Sequence, residues 1–211
     1  MPRAKSSTRW LQEHFEDIYV KQSKLDGYRS RAAYKLIEIN KKHKLINNNQ
    51  NIVDLGAAPG SWLQVVKNLS KNSNIIGLDI LEIKPISQVK LITGDFTENH
   101  ILEELLKQLN NQPVDLVLSD MAPNLSGHRE IDIPKAMYLA ELATDFANTS
   151  LRKGGNLLIK VFQGNGFDNL LKSLRQDFQQ VFTCKPKASR ARSNEIYLLG
   201  KNKINAYNIG F

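Results

Sequence analysis

Val53-Asp54-Leu55-Gly56-Ala57-Ala58-Pro59-Gly60-Ser61-Trp62 is the stretch on which the reading of this chain turns. An apolar strand runs into small residues, where backbone can approach a ligand closely, and a helix then begins whose N-terminus favours polar groups. The glycines stand too far apart for a GxGxxG motif and Pro59 stiffens the turn, so the pyrophosphate cradle of a dinucleotide site is missing. Outward from this turn, short apolar runs alternate with amphipathic stretches from residue 52 on, the pattern of parallel strands joined by crossover helices. Strands are expected at 51–55, 74–80, 89–93, 114–119, 156–162, 181–184 and 195–200. Helices are expected at 62–69, 100–109, 134–151 and 167–178, with Pro134 in a first helical turn and Gly154-Gly155 as a stop signal. The fold class is therefore α/β, a doubly wound sheet. Residues 1–50 form a basic helical arm packed on the core, set off by the polar turn Asn47-Asn48-Asn49-Gln50-Asn51. The core spans 51–201, and 202–211 is a tail of little pattern, in a single domain overall.

Two acidic residues close the strands that follow the turn. Asp79 stands about twenty residues beyond it, where a carboxylate can accept both hydroxyls of an adenosine ribose. Asp95 ends the third strand and Phe96 follows, a pair suited to an adenine edge and ring. Either carboxylate could equally be an N-cap or turn residue. Together they make an acidic pocket that would attract a sulfonium and repel a pyrophosphate.

Composition excludes several classes. With 211 residues, 41% hydrophobic and 24% charged, the chain has enough apolar surface for a sizeable core. Cys184 is the single cysteine, so no internal disulfide can form, and His14, His43, His100 and His128 lack metal-ligand spacing, so no metal is expected. No apolar run approaches the roughly 20 residues of a membrane helix, and a soluble cytoplasmic protein is expected. The net charge of +8 is unevenly spread: residues 1–44 carry eleven Lys and Arg against five Asp and Glu, residues 185–211 six against one, and the remainder twelve against fifteen. Basic ends around a mildly acidic middle suggest a polyanion held by the termini over a centre with another task. Trp10, Phe15, Tyr19, Tyr28 and Tyr34 lie among the basic residues, as stacking partners for bases or as helix packing. Arg29-Ser30-Arg31 and Ser189-Arg190-Ala191-Arg192-Ser193 offer phosphate donors, so Arg29, Arg31, Arg190 and Arg192 are the candidate RNA contacts.

Six segments in order carry a family resemblance: Arg9-Trp10-Leu11-Gln12-Glu13-His14-Phe15, Arg29-Ser30-Arg31-Ala32, the turn from Asp54 to Trp62, Ser119-Asp120-Met121-Ala122-Pro123-Asn124, Lys160-Val161-Phe162-Gln163-Gly164 and Ser189-Arg190-Ala191-Arg192-Ser193. The chain resembles the FtsJ/RlmE-type bacterial ribosomal RNA large subunit 2′-O-methyltransferases from about residue 7 to 201. The resemblance implies a Rossmann-like S-adenosylmethionine-dependent methyltransferase fold, a mostly parallel twisted sheet with one antiparallel strand and helices on both faces. It implies a catalytic set of Lys35, Asp120, Lys160 and Glu195, and cofactor binding through Gly60, Trp62, Asp79, Asp95 and Asp120, to which the reading of the turn and of the third strand end adds Gly56 and Phe96. The substrate it implies is a uridine ribose of 23S ribosomal RNA in the 50S subunit, in the loop that receives aminoacyl-tRNA, modified late in assembly; apart from the resemblance, a monomer is expected. Ser61 departs from the glycine expected after Gly60. Lys160 either deprotonates the hydroxyl or, kept charged, orients it; Lys35 would lower its pKa while Asp120 and Glu195 would raise it. The readings to be weighed against this are a transfer RNA anticodon-loop 2′-O-methyltransferase, a non-catalytic ribosome-assembly factor and, more distantly, a nicotinamide-dependent dehydrogenase.

Overall fold

The protein is described by a computed structural model for residues 17–124, 126–190 and 193–205. The segment Arg9 to Phe15, His14, Arg192 and the end of the tail lie outside the described residues.

The described part of the arm supplies two helices. Helix α1 (Ile18–Leu25) starts where Asp17 accepts the Tyr19 amide at 2.9 Å, a side-chain N-cap. Helix α2 (Ala32–His43) ends at Lys44 in the left-handed region, and the Asn40 side chain takes the amides of Leu45 and Ile46. Ala33, Leu36 and Ile39, at helical spacing, are the buried stripe of α2.

The core follows as β1 (Asn51–Leu55), α3 (Ser61–Leu69), β2 (Asn74–Asp79), β3 (Lys90–Thr93), α4 (Asn99–Gln108), β4 (Val114–Ser119), α5 (Arg129–Ser150), β5 (Leu151–Phe162), α6 (Phe167–Asp177), β6 (Phe178–Cys184) and β7 (Glu195–Lys203). The seven strands are ordered β3-β2-β1-β4-β5-β7-β6. The pairs from β3 to β5 are parallel, and β7 runs antiparallel to both β5 and β6. The order reverses between β1 and β4, and beyond the carboxyl ends of those two strands an open α/β sheet has its ligand crevice.

Strand side chains alternate between two apolar layers. Val53, Leu55, Val117, Leu157, Ile159 and Val161 pack against α4, α5 and α6; Ile52, Leu116, Leu118, Leu158, Tyr197 and Leu199 pack against α2 and α3. The parity has a consequence for polar residues. Asp54, Asp120, Lys160 and Glu195 each lie an even number of positions from a member of the second layer, so all four belong to the face that α2 covers.

Two expectations are corrected. Helix α5 begins at Arg129, not at Pro134, which therefore stands inside it. The earlier start is stabilised by Asp132, which reaches back to the amides of Ser126 and Gly127 and to the Ser126 hydroxyl. Gly154-Gly155 does not follow a helix end, because β5 begins at Leu151 directly after α5. The glycines sit where the β4–β5 register jumps between Val114↔Leu151 and Leu116↔Asn156, and Gly154 at φ 79° absorbs the bulge.

Candidate active site

Three strands and one helix converge at the carboxyl end of β4. Lys160, on β5, is paired across the ladder with Tyr197 on β7, and Glu195 stands two residues before Tyr197 on the same face. Asp120 is the residue at which β4 leaves the sheet, and its amide bonds Leu55 O at 3.3 Å. Lys35 descends from α2.

The four form one continuous network. Lys160 Nζ donates to the backbone oxygen of Asp120 at 2.6 Å and pairs with Asp120 Oδ1 at 3.1 Å. Lys35 Nζ lies 2.6 Å from Glu195 Oε1, which also accepts from Ser189 Oγ at 3.0 Å. Tyr197 joins the two pairs: its hydroxyl donates to Asp120 Oδ1 at 2.7 Å and lies 3.4 Å from Glu195 Oε1, and Lys35 sits over its ring. Tyr197 is fully buried and Lys160 is only 9% exposed, so these contacts are little screened by water. Burial alone would push the Asp120 carboxyl up, but Lys160 and Lys35 with the Tyr197 hydroxyl hold it below its ordinary value. Burial, with Asp120 and Glu195 adding to it, pushes the Tyr197 phenol well up, so it stays a hydrogen-bond donor.

Beside this network lies an open cleft lined by Asp54, Gly56, Ala58, Pro59, Trp62 and Asp120 among others. Gly56 has φ 73°, and a Cβ there would come within 2.9 Å of the Met121 backbone, so only glycine allows the close passage of the two loops. Asp54 is buried against the cleft, and among the described residues neither of its oxygens has a hydrogen-bond partner. Burial first, and then the charges of Asp120 and Asp79, raise its carboxyl well above the usual range. An unpartnered carboxylate beside a second one is the chemistry of a site for a cation, and a sulfonium with an ammonium fits it.

The other residues predicted for the cofactor are distributed around the turn. Asp79 ends β2 and is bound to the turn, accepting Ala58 N at 2.9 Å through Oδ2 and Leu81 N at 2.9 Å through Oδ1. Trp62 lines the cleft with one side while its indole N–H donates to Ala32 O at 2.8 Å and its ring packs on Tyr197. Gly60, at φ 102°, caps the start of α3. Gly60, Asp79, Asp95 and Phe96 all lie outside the cleft lining: Asp95 holds Thr97 through its amide and hydroxyl, and Phe96 packs edge-on against Phe146 of α5.

The candidate RNA arginines that are described have protein partners. Arg29 bonds backbone carbonyls of the turn region. Arg31 pairs with Asp17 and donates to Ala188 O; burial and the neighbouring Arg190 lower its pKa. Tyr197 and Asp54 are the site residues that sequence reasoning missed. Parity with Glu195 would have pointed to the first, and its place at the end of a buried strand to the second. Among the described residues no group of His, Cys, Asp and Glu could hold a metal ion, and no helix is long and apolar enough to cross a membrane.

Comparison with known proteins places this geometry in context. The FtsJ-like methyltransferase profile matches residues 28–203. The chain is 54% identical over 202 residues to the ribosomal RNA large subunit methyltransferase E of Legionella pneumophila strain Corby, covering 95% of this chain and 98% of that protein. It is 54% identical over 207 residues to the protein of the same description from Methylobacillus flagellatus, covering 98% and 100%. A crystal structure of a ribosomal RNA methyltransferase from Plasmodium falciparum superposes with a TM-score of 0.76 at 34% identity, over 84% of this chain and all of that one.

Proposed function

The chain belongs to the FtsJ-like methyltransferase family, and we propose that it methylates a ribose 2′-hydroxyl of large-subunit ribosomal RNA with S-adenosylmethionine as donor. The finer reading is a uridine of 23S RNA, in the loop that receives aminoacyl-tRNA, modified within the 50S particle late in assembly by a cytoplasmic monomer whose arm and core work as one domain. The observation that carries it is the double contact of Lys160 with the backbone and side-chain oxygens of Asp120, at the rim of a cleft walled by Asp54.

The donor supplies a methyl carbon on a positively charged sulfur. Asp54, the turn from Gly56 to Trp62, and Asp120 would hold its amino-acid end, with Asp79 on the ribose and Asp95 and Phe96 at the base. Lys160 has two of its tetrahedral positions committed to Asp120, so one position is left to meet the hydroxyl. Acting as an uncharged amine with its two N–H groups on Asp120, that nitrogen turns its lone pair to the 2′-hydroxyl, holds the oxygen towards the cleft and takes its proton as the new bond forms. Asp120, which Lys35 and Tyr197 help keep ionised, stabilises the positive charge this leaves on Lys160. Lys35, anchored by Glu195 and the Tyr197 ring, adds positive charge on the side of the site covered by α2, where it offsets the oxyanion and the flanking phosphates. Orientation of the hydroxyl supplies much of the gain, on the order of several kcal/mol.

A transfer RNA anticodon-loop enzyme and a non-catalytic assembly factor are less consistent with full-length relatives described as large-subunit methyltransferases and with four tetrad residues in one cluster. The test is methylation of large subunits purified from a strain lacking the enzyme, with the modified nucleotide mapped. Methyl on one uridine 2′-oxygen is the expected result; methyl on a base, or none, would end the reading.

A further inference from the structure

Residues 27–32 of the arm are stapled to the turn by hydrogen bonds that methyl transfer does not use. Arg29 Nη1 donates to Pro59 O at 2.8 Å and Nη2 to Pro85 O at 3.0 Å. The Arg29 amide donates to Gln64 Oε1 at 2.8 Å, and Gln64 Nε2 donates to Gly27 O at 2.9 Å. The Ser30 and Ser61 hydroxyls meet at 2.7 Å. We propose that Arg29 is a positioning residue for the methyl donor, clamping the donor turn to the loop of residues 80–89, rather than a contact for RNA phosphate.

The argument starts from the Pro59–Gly60 peptide. Its N–H donates to Ala57 O at 2.6 Å, and its carbonyl, on the opposite side of the same plane, is the group Arg29 holds. Rotating that plane would break both bonds and move Ala58, whose amide is bound to Asp79. The second arm of the guanidinium reaches Pro85, in the loop that follows Asp79, so one rigid fork spans two loops that flank the same carboxylate. The fit is close: a Cβ on Gly60 would come within 2.6 Å of Nη1 and 3.1 Å of Ile86 Cδ1. A phosphate would have to compete with two carbonyls already in place. The donor end of the site is thus shaped in part by a residue of the basic arm.

The inference rests on the reading of residues 56–62 as the donor site, so the experiment keeps the two apart. S-adenosylmethionine and uncharged S-adenosylhomocysteine are titrated calorimetrically into the full chain as wild type, Arg29→Ala, Arg29→Lys and Gln64→Ala. Arg29→Ala is expected to weaken both ligands by roughly tenfold or more and to raise donor KM in step, with kcat at saturating donor within about threefold. Its RNA affinity should keep the wild-type salt slope. Arg29→Lys, able to reach one carbonyl at a time, should fall between, and Gln64→Ala should weaken both ligands by less. Donor affinities within about twofold of wild type in a folded Arg29→Ala overturn the proposal, as does a salt slope reduced by about one, the mark of a lost phosphate contact. Tightening of the cationic ligand alone, the result if only a repulsive charge had been removed, overturns it as well. Should Arg29→Ala fail to fold, Arg29→Lys decides by the same twofold criterion. Wild type that binds neither ligand removes the donor-site reading and the inference with it.

Discussion

At the scale of single residues, Lys160 and Asp54 are polar groups in a layer of apolar ones, and a task or a partner must offset the cost of burying them. Lys160 has Asp120 as partner and, in the proposed mechanism, a catalytic task. Lys160→Ala is expected to lower the rate of methyl transfer by roughly 10²–10⁴-fold while calorimetric affinity for S-adenosylhomocysteine stays near wild type; an unchanged single-turnover rate would remove the assignment. Asp54 has no partner, and its raised pKa has a definite sign. In the free protein the folded state keeps this proton more firmly than the unfolded chain, so Asp54 costs no stability below the ordinary carboxylate range. Its cost grows as pH rises towards the raised value. A cation in the cleft favours the ionised form, so binding releases a proton and donor affinity should climb with pH, by up to about tenfold per unit while Asp54 titrates. Asp54→Asn should bind more weakly and flatten that climb; a climb that the substitution leaves unaltered would show that Asp54 does not face the donor. Asp120 behaves in the opposite sense: its lowered pKa contributes stability present above the ordinary carboxylate range and lost as pH falls through the lowered value.

At the scale of elements, the site depends on how closely α3 lies on β2. Gly77 makes the approach possible, since a Cβ there would fall 2.5 Å from Leu63 Cδ1 and 3.2 Å from the Ala57 side chain. Leu63 has no exposed surface into which to move. Gly77→Ala is therefore expected to destabilise the protein by about 1–3 kcal/mol through overpacking, read as a lower urea midpoint at unchanged m-value. An unshifted midpoint would mean that α3 can slide. The strands and helices were legible in outline: β1 and β4 match their expected bounds, and the turn was recognised from its small residues. The discrepancies have local causes. Pro134 resembles a helix start, but Asp132 closes a cap upstream, and two glycines resemble a helix stop but serve a bulge.

For the whole molecule, the charge asymmetry remains the guide to RNA. Arg29 and Arg31 are engaged within the protein, and Arg190 and Arg192 are the remaining candidates to be tested against phosphate; Ser189, which precedes them, bonds Glu195. Converting Arg190 and Arg192 together to glutamine should flatten the salt dependence of RNA binding by roughly 1.4–1.8 units of slope, measured by filter binding over a salt series. An unaltered slope would place the RNA elsewhere. The sequence by itself determined the α/β class and the turn, because these depend on local periodicity and on runs of small residues, while the proposed reacting set came from the family resemblance. Only the tertiary structure decided that Tyr197 joins Asp120 to Glu195, that Asp54 stands unpartnered at the cleft, and that Arg29 points at carbonyls. Each of these is a contact between residues 30 or more positions apart or a burial set by neighbouring strands, and register and packing create such relations where composition and spacing cannot express them.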